Sequence, residues 1–198
     1  MVTTITKGER TRQALIDAAI LRFAQDGSRG ASVSDIARDV GITPGSVYAY
    51  FPSKREFFLA ALDADAERLM EHASEAIGPD FVSDWTSLFA TLIGAVEDHP
   101  LARRVLSGGE GTAADRLLVL PAEARLRDLL ADRLQVAQSR GLVRTDIDPV
   151  VMADGFTTLL IALLIAALQT GGGTVGNDRV RGVIAVLDAS LHVSPPTG

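Results

Sequence analysis

Two helix stops within twelve residues constrain the fold of this chain more than any other feature of its sequence. Gly41 ends the apolar pattern of SVSDIARDV, and Pro52 ends that of TPGSVYAYF, so neither segment continues as one long helix. Each segment predicts a helix of about two turns. Two helices this short, joined by a tight turn that contains glycine, indicate a helix-turn-helix unit.

Capping residues support these two helices and predict where the next one begins. Ser32, with Asp35 three residues later, fits the start of the first helix, and Thr43 fits the start of the second. Pro44 then occupies the first helical position, where its missing N–H costs nothing. Ser53 lies three residues before a glutamate and predicts the start of a longer helix.

Apolar residues at helical spacing continue through the rest of the chain, and no segment has the alternation of a strand. The sequence therefore predicts an all-α fold, with a three-helix helix-turn-helix domain over residues 1–55 and a larger helical domain over 56–198. Gly27 is predicted to end the first helix, and residues 107–113 and 171–177 are predicted loops. Outside the helix-turn-helix pair, the predicted helices cover residues 11–25, 53–76, 81–98, 101–106, 121–140, 148–170 and 178–191.

The net charge of −6 hides an uneven distribution of charge along the chain. Residues 1–55 carry eight Lys or Arg against five Asp or Glu, and the remaining residues carry eleven against twenty. This asymmetry indicates a modestly basic N-terminal module attached to an acidic body. Ordinary variation among surface charges is the alternative interpretation.

The residues that would support catalysis or metal binding form no recognisable pattern. There is no cysteine, which excludes disulfides, thiolate catalysis and cysteine-bearing metal sites. The three histidines, His72, His99 and His192, lie in separate segments without a neighbouring metal ligand or a nucleophile turn. The GGG run at 171–173 follows a helix rather than a strand and does not match a phosphate-binding loop. We therefore predict no enzymatic activity, no metal and no cofactor.

No segment predicts a membrane span or a secretory leader. The most apolar run, Gly155–Leu168, has fourteen residues, fewer than the eighteen or so that a spanning helix needs, so a buried helix is the better interpretation. The first residues, MVTTITKGERTR, lack the apolar run of a signal peptide. A cytoplasmic protein is expected.

The second short helix has an unusual distribution of side chains around its axis. On a helical wheel, Val47 and Phe51 mark the side that faces the core. The opposite side carries only small residues, and the two flanks carry the only tyrosines of the chain. These residues are Gly45 and Ala49 on the bare side, and Tyr48 and Tyr50 on the flanks.

A bare helix face between two hydroxyl-bearing aromatic side chains suits insertion into a DNA major groove. The backbone can approach the base edges, while each tyrosine hydroxyl can donate to a phosphate on one wall of the groove. Thr43 and the start of the helix add donors for phosphate, and Lys54 adds a positive charge. The alternative is that both tyrosines are half-buried packing residues.

Three motifs identify a family. They are AA-x3-F-x3-G at residues 18–27, G-S-V-Y-x-Y-F-x-S-K at 45–54, and GLVRTDIDP at 141–149. The second is the specific one, because small, aromatic and lysine positions must all coincide. With these motifs, the run from about Leu15 to Leu62 closely resembles the DNA-binding domain of the tetracycline-repressor (TetR) family, and the third resembles the linker before the dimerising helices.

The resemblance implies a role for each part of the recognition helix, which would span Thr43–Tyr50. Pro44 and Gly45 would lie against base edges, and the two tyrosines and Lys54 would bind phosphates. Relatives often have lysine or another polar residue in place of Pro44. Because proline cannot donate, base readout here would rely on thymine methyls and DNA shape. The predicted DNA-binding set is Ser32, Val33, Ser34, Thr43, Pro44, Gly45, Tyr48, Ala49, Tyr50 and Lys54.

The resemblance also implies that the larger domain binds a small effector and dimerises. The helices over 148–170 and 178–191 are the most apolar pair and predict a homodimer interface, with a monomer core as the alternative. Large apolar side chains on the helix over 81–98 and on the helix over 148–170 are candidates for an effector pocket, although core packing explains them equally well. They are Trp85, Phe89, Met152 and Phe156.

The expected function is that of a DNA-binding transcriptional regulator. We expect a repressor that is released from a palindromic double-stranded DNA operator by a small-molecule effector of unknown identity. The alternative is a helical small-molecule-binding protein or sensor that does not act on DNA.

Overall fold

The structure, a computed structural model, describes residues 6–78, 85–110, 121–169 and 174–191. Within these ranges the side chains at 76, 85–88, 122, 174–177, 179 and 180 are outside the description. All regular elements in the described residues are helices, which confirms the all-α fold. The helices are α1 Lys7–Gly30, α2 Val33–Val40, α3 Pro44–Val47, α4 Lys54–Ala76, α5 Trp85–Glu97, α6 Pro100–Leu106, α7 Pro121–Ser139, α8 Pro149–Gln169 and α9 Thr174–Leu191.

Helix α1 begins earlier than predicted because residues outside the apolar pattern cap its first turn. The Thr6 hydroxyl accepts a hydrogen bond from the Glu9 N–H at 3.2 Å, and the Glu9 carboxylate accepts one from the Thr6 N–H at 2.7 Å. The bond from the Thr6 N–H, and to a lesser extent the Thr6 side chain, lowers the pKa of Glu9. Near the other end, Gly27 has φ 76° and ψ 168°, which kinks the helix before it ends at Gly30.

The predicted caps of the helix-turn-helix unit are present. The Ser32 hydroxyl accepts from the Asp35 N–H at 3.2 Å and starts α2. Gly41 ends α2 in the left-handed conformation, with φ 76° and ψ 30°, which glycine adopts without strain. The Thr43 hydroxyl accepts from the Ser46 N–H at 3.3 Å and starts α3. The two helices are therefore joined by a tight turn, as the sequence predicts.

Helix α3 is shorter than predicted. It ends at Val47, whereas the sequence indicated a helix to about Phe51. The N–H groups of Tyr50 and Phe51 both donate to the Val47 carbonyl at 3.0 Å, and this shared acceptor tightens the chain into a turn. Pro52 then prevents further helix. The segment from Pro44 to Tyr50 is thus one helical turn followed by a non-helical turn.

Four phenylalanines join the helix-turn-helix unit to the long helices on either side of it. The Phe23 ring of α1 meets the rings of Phe57 and Phe58 of α4 edge to face, with centroids 5.8 and 5.3 Å apart. Phe51 stacks on Phe57 at 4.4 Å. All four side chains are buried, and such aromatic pairs stabilise a core beyond the area they bury. This cluster fixes the turn after α3 relative to α1 and α4.

Helix α4 connects the helix-turn-helix unit to the rest of the chain. It begins at the cap predicted at Ser53, whose hydroxyl accepts from the Glu56 N–H at 3.1 Å. It packs against α1 and also against α5, α6 and α7. The expected domain boundary after residue 55 therefore falls in the first turn of a helix that packs against helices from both sides of this boundary.

The larger part of the structure is a layered helical body. Helices α7 and α8 pack against each other most extensively, and α9 packs along α8. Helix α9 begins at Thr174, so residues 174–177, which were predicted as a loop, are helical. In the other predicted loop, which covers residues 107–113, residues 107–110 form turns and residues 111–113 lie outside the described residues.

Helix α8 is the one helix in the described part of the chain that is long and apolar enough to cross a membrane. Its mean hydropathy is 2.2, and 44% of the apolar stretch is buried against the rest of the chain. The core helix of a soluble protein passes the same test. Its buried face packs on α7, while residues such as Val150 and Val151 leave part of the other face exposed.

Candidate nucleic-acid interface

The start of α3 is an exposed surface with little side-chain bulk. Pro44, Gly45 and Ser46 are all exposed, and so is Ala49 in the following turn. A Cβ atom built on Gly45 would meet nothing within 4 Å. The hydroxyls of Thr43 and Ser46 are hydrogen-bonded to each other at 2.8 Å, at the edge of this surface. A flat partner can therefore approach the backbone of α3 closely.

The side of α3 that faces the core is the predicted one. Val47 and Phe51 are both buried, as expected for the residues assigned to that side. The two tyrosines are not equivalent, which differs from the symmetric arrangement that a regular helix gives. Tyr48 is 50% exposed, whereas Tyr50 is partly buried and packs against the core. Both tyrosines lie in the turn after Val47, and they differ in how far the core covers them.

The three residues at the start of α2 that are predicted to contact DNA belong to the same helix-turn-helix unit as α3. Ser34 is exposed, while Ser32 and Val33 are partly buried. The Ser32 hydroxyl accepts a hydrogen bond from the Asp35 N–H and so caps α2. Any contact that this hydroxyl makes with DNA is in addition to that structural role. Val33 packs against the core. Among these three residues, Ser34 is the most accessible to a partner.

Lys54 has an intramolecular contact that the sequence did not indicate. Its ammonium group donates to the backbone carbonyl of Arg29 at 2.8 Å, close to the end of α1. Lysine carries three N–H donors, and this bond uses one of them. The contact holds the positive charge between the end of α1 and the start of α4, and it leaves the side chain only partly buried.

Arg12 is a basic residue near this surface that sequence reasoning did not single out. Its guanidinium lies over the Phe51 ring, 5.2 Å from the centroid, in a cation–π contact. The side chain is therefore placed next to the turn that follows α3, and the residue is exposed. The basic balance of residues 1–55 was the available signal, but composition alone cannot say which charge lies near α3.

Comparisons with known proteins agree with this geometry. The family model described as "Bacterial regulatory proteins, tetR family" matches residues 15–61, which contain the whole helix-turn-helix unit. Over 187 residues the chain is 28% identical to a helix-turn-helix (HTH)-type transcriptional repressor of Streptomyces coelicolor, which covers 87% of this chain and 90% of that protein. It is 24% identical over 199 residues to the HTH-type transcriptional repressor AcnR of Corynebacterium diphtheriae, with 99% of each chain covered.

Residues 15–61 form a TetR-family DNA-binding domain. The chain is a DNA-binding transcriptional regulator, as its curated relatives are. A solved TetR-family transcriptional regulator from Cytophaga hutchinsonii has the same fold, with a TM-score of 0.64 and 19% sequence identity over 98% of this chain and 100% of that chain.

The apolar residues predicted as an effector pocket are buried wherever their side chains are described. Phe89, Met152 and Phe156 all belong to the core, and the Trp85 side chain lies outside the described residues. Two clefts, of about 460 and 400 Å³, lie at the junction of α1 and α6, and none of these three side chains lines them. The assignment of the cluster to an effector pocket stays a prediction.

Two of the histidines, which lie in separate segments of the sequence, meet in the helical body, a contact that the sequence did not indicate. The ring nitrogens His99 Nε2 and His72 Nδ1 are 2.9 Å apart, and His99 Nδ1 is 3.1 Å from a carboxylate oxygen of Asp65. The other oxygen of Asp65 accepts from the N–H groups of Leu101 and Ala102 at 2.9 Å each. Asp65 on α4 therefore caps the start of α6. Within the described residues, no group of three or more acidic, histidine or cysteine side chains could hold a metal ion.

Proposed function

We propose that this regulator is a homodimeric repressor that binds a palindromic operator and is released by a small apolar or amphipathic effector. The observation that carries the proposal is the exposed, bulk-free start of α3 with the half-exposed Tyr48 beside it, in a chain whose relatives include repressors. The protein acts on DNA in the cytoplasm and has no catalytic activity.

In this proposal α3 lies in the major groove. Pro44 and Gly45 contact base edges, and readout at Pro44 depends on thymine methyls and DNA shape because proline has no N–H. Tyr48 and Lys54 bind phosphates on the walls of the groove. Tyr50 packs against the core, and in this proposal its hydroxyl binds a phosphate of the DNA.

The remaining predicted contacts complete this surface. The start of α2 approaches the DNA backbone. The N-cap residue before α3 and the alanine in the turn after α3 also contact the DNA. The residues are Ser32, Val33 and Ser34 on α2, and Thr43 and Ala49 on either side of the α3 helix.

The exposed faces of α8 and α9 support a dimer. On α9, four small or aliphatic residues are exposed at positions 182, 185, 186 and 189, the spacing of one helix face. On α8, the exposed positions 151, 155, 159 and 162 have the same character. Added Cβ atoms at Gly155 and Gly182 would meet nothing within 4 Å. Two copies of such a face bury each other as a four-helix bundle, which also brings two recognition units to a two-fold operator.

Two measurements on the unmodified protein test the dimer and its effector. Light scattering is expected to give about twice the chain mass of 20.9 kDa, and a mass of one chain contradicts the dimer. Adding candidate metabolites to the protein–DNA complex identifies the effector by the release of DNA. The predicted pocket of Trp85, Phe89, Met152 and Phe156 is then tested by substitution of its members.

Selection of bound duplexes from a random pool at fixed salt tests the DNA-binding proposal as a whole. We expect enrichment of one palindromic sequence, with half-sites separated by about one helical turn or a multiple of it. A pool without any enriched palindrome would contradict the proposal and favour the small-molecule-binding alternative.

A further inference from the structure

The end of α6 is tied to the kink of α1 by a buried carboxylate. Glu110, whose side chain is 8% exposed, accepts from Arg104 Nε at 2.8 Å and from the Ser28 N–H at 3.1 Å with the same oxygen. Arg104 also donates to the Ala24 carbonyl at 3.2 Å. Burial acts to raise the pKa of Glu110, but the hydrogen bonds from Ser28 and Arg104 outweigh it and lower this pKa. The ion pair is thus bonded to two backbone groups of α1.

These two backbone groups are normally partners of each other. In a regular helix the Ser28 N–H donates to the carbonyl four residues earlier, which is that of Ala24. The kink at Gly27 redirects the chain, so that the N–H meets Glu110 and the carbonyl meets Arg104. The ion pair therefore contacts both groups of one helical hydrogen bond, and it does so from another part of the molecule.

Gly27 is required at this junction for two separate reasons. Its φ of 76° is a conformation that other residues adopt with strain. A Cβ atom at this position would also lie 2.7 Å from Arg104 Nη2 and 2.9 Å from the nearer carboxylate oxygen of Glu110. A side chain at Gly27 would displace the ion pair. The kink and the ion pair therefore fit each other closely.

The helix that supplies Arg104 is itself held at both ends. At its start, Asp65 on α4 accepts from two N–H groups of α6. At its end, the Leu106 carbonyl accepts from the Gln169 side chain of α8 at 3.3 Å. A displacement of α6 is therefore transmitted to α1 through the ion pair, in addition to any movement of α4.

We propose that Arg104 and Glu110 are positioning residues that fix the angle between the DNA-binding domain and the helical body. This inference rests on the proposed function, because the angle matters only if two recognition units must match two half-sites. The ion pair holds α1 against α6, so the domain cannot rotate about α4. The separation of the recognition units in the dimer is thereby fixed, and with it the operator spacing that the protein accepts.

A spacing series tests this role with a readout that a merely structural contact would not change. Duplexes carry the selected half-sites with the optimal separation or with one or two base pairs added or removed, each base pair changing the separation by about 3.4 Å. For the wild type we expect at least about tenfold weaker binding at the altered spacings. For Arg104→Ala and Glu110→Ala we expect this discrimination to fall below about threefold, with the optimal duplex bound more weakly.

Arg103→Ala is the matched control. Arg103 precedes Arg104 on the same helix, is exposed, and pairs with Glu97 at 3.1 Å rather than with α1. Its substitution is expected to leave the spacing preference of the wild type intact. The double variant of Arg104 and Glu110 should discriminate between spacings no better than either single variant, because it removes both bonds to α1, the one to the Ser28 N–H and the one to the Ala24 carbonyl.

Several outcomes overturn the inference. It is wrong if Arg104→Ala and Glu110→Ala keep the wild-type spacing preference, or if Arg103→Ala relaxes it equally. Should an alanine variant not fold, hydrogen exchange of the Ser28 amide in the wild type replaces it, and exchange as fast as that of an unprotected amide contradicts the contact with Glu110. If the wild type binds a selected operator without any spacing preference, both this inference and the dimeric mode of binding fail. If the wild type selects no operator, the proposed function fails first.

Discussion

Replacing Asp65 by asparagine weakens the bonds that hold the start of α6 to α4. The Asp65 side chain is buried and takes three hydrogen bonds, from two backbone N–H groups at 2.9 Å and from His99 at 3.1 Å. Asparagine has the same shape but no charge. Hydrogen bonds to a charged group contribute about 1.5–3 kcal/mol each and neutral ones about 0.5–1.5, so three bonds lose about 3 kcal/mol in total. For a chain of this length, that lowers the melting temperature by about 6–12 °C.

Urea denaturation followed by circular dichroism at pH 7, with calorimetry for the melting temperature, measures this loss. Asp128→Asn is the matched control, since its side chain is 71% exposed on α7 and pairs with a neighbouring arginine. The control is expected to change the free energy of unfolding by less than about 0.5 kcal/mol. A loss of less than about 1 kcal/mol in Asp65→Asn would refute the argument that this carboxylate holds α6.

Three further substitutions test single contacts. Lys54→Ala should weaken binding to all DNA sequences alike and reduce the salt dependence by about one unit of slope, measured by gel shift at several salt concentrations. Tyr48→Phe removes only a hydroxyl from a half-exposed side chain, so DNA binding should weaken while calorimetry gives an unchanged melting temperature. Glu110→Gln should lower the free energy of unfolding at pH 7 by about 1–2 kcal/mol in urea denaturation. Because the folded pKa of Glu110 is lowered, this difference is full above the unfolded pKa of about 4.3 and disappears as the pH falls through the folded value.

Each of these predictions has a result that contradicts it. A changed sequence preference in Lys54→Ala would show that the side chain contacts bases or shapes the fold rather than binding phosphate. A large loss of stability in Tyr48→Phe would favour the packing interpretation of this tyrosine. A stability difference in Glu110→Gln that stays constant down to pH 3 would mean that the carboxylate charge is not what holds α1.

The local signals in the sequence predicted the helix-turn-helix unit well because they act within a few residues. Ser32 and Thr43 cap their helices, and Gly41 takes the left-handed conformation that its position after α2 indicates. The core side of α3 follows from the spacing of Val47 and Phe51 alone. Such features depend on the backbone within one turn, so no knowledge of the rest of the fold is needed.

The same local reasoning failed where hydrogen bonds replaced helical regularity. The wheel placed Tyr48 and Tyr50 symmetrically because it assumed a continuous helix, whereas the shared acceptor at Val47 makes a turn. The start of α1 was missed because Thr6 and Glu9 lie in a polar segment without apolar periodicity. In both cases the deciding bonds involve polar groups, which a hydrophobic pattern does not report.

Contacts between distant segments were outside the reach of the sequence. Asp65 and His99 are 34 residues apart, and Ser28 and Glu110 are 82 apart. Each is one ordinary residue in its own segment, and only the packing of α6 against α1 and α4 brings the partners together. The predicted pocket has the same difficulty, because buried aromatic residues look alike whether they pack against each other or against a ligand.

The affinity of Gly45→Glu for the selected operator tests most directly whether α3 lies against DNA. Gly45 is exposed, has no neighbour within 4 Å of an added Cβ, and lies in the first turn of α3, where a glutamate is tolerated. The substitution places bulk and negative charge between the helix and the groove. We predict a loss of at least about 100-fold in operator affinity, with an unchanged melting temperature and an unchanged dimer mass. Wild-type affinity in this variant would contradict the placement of α3 in the groove.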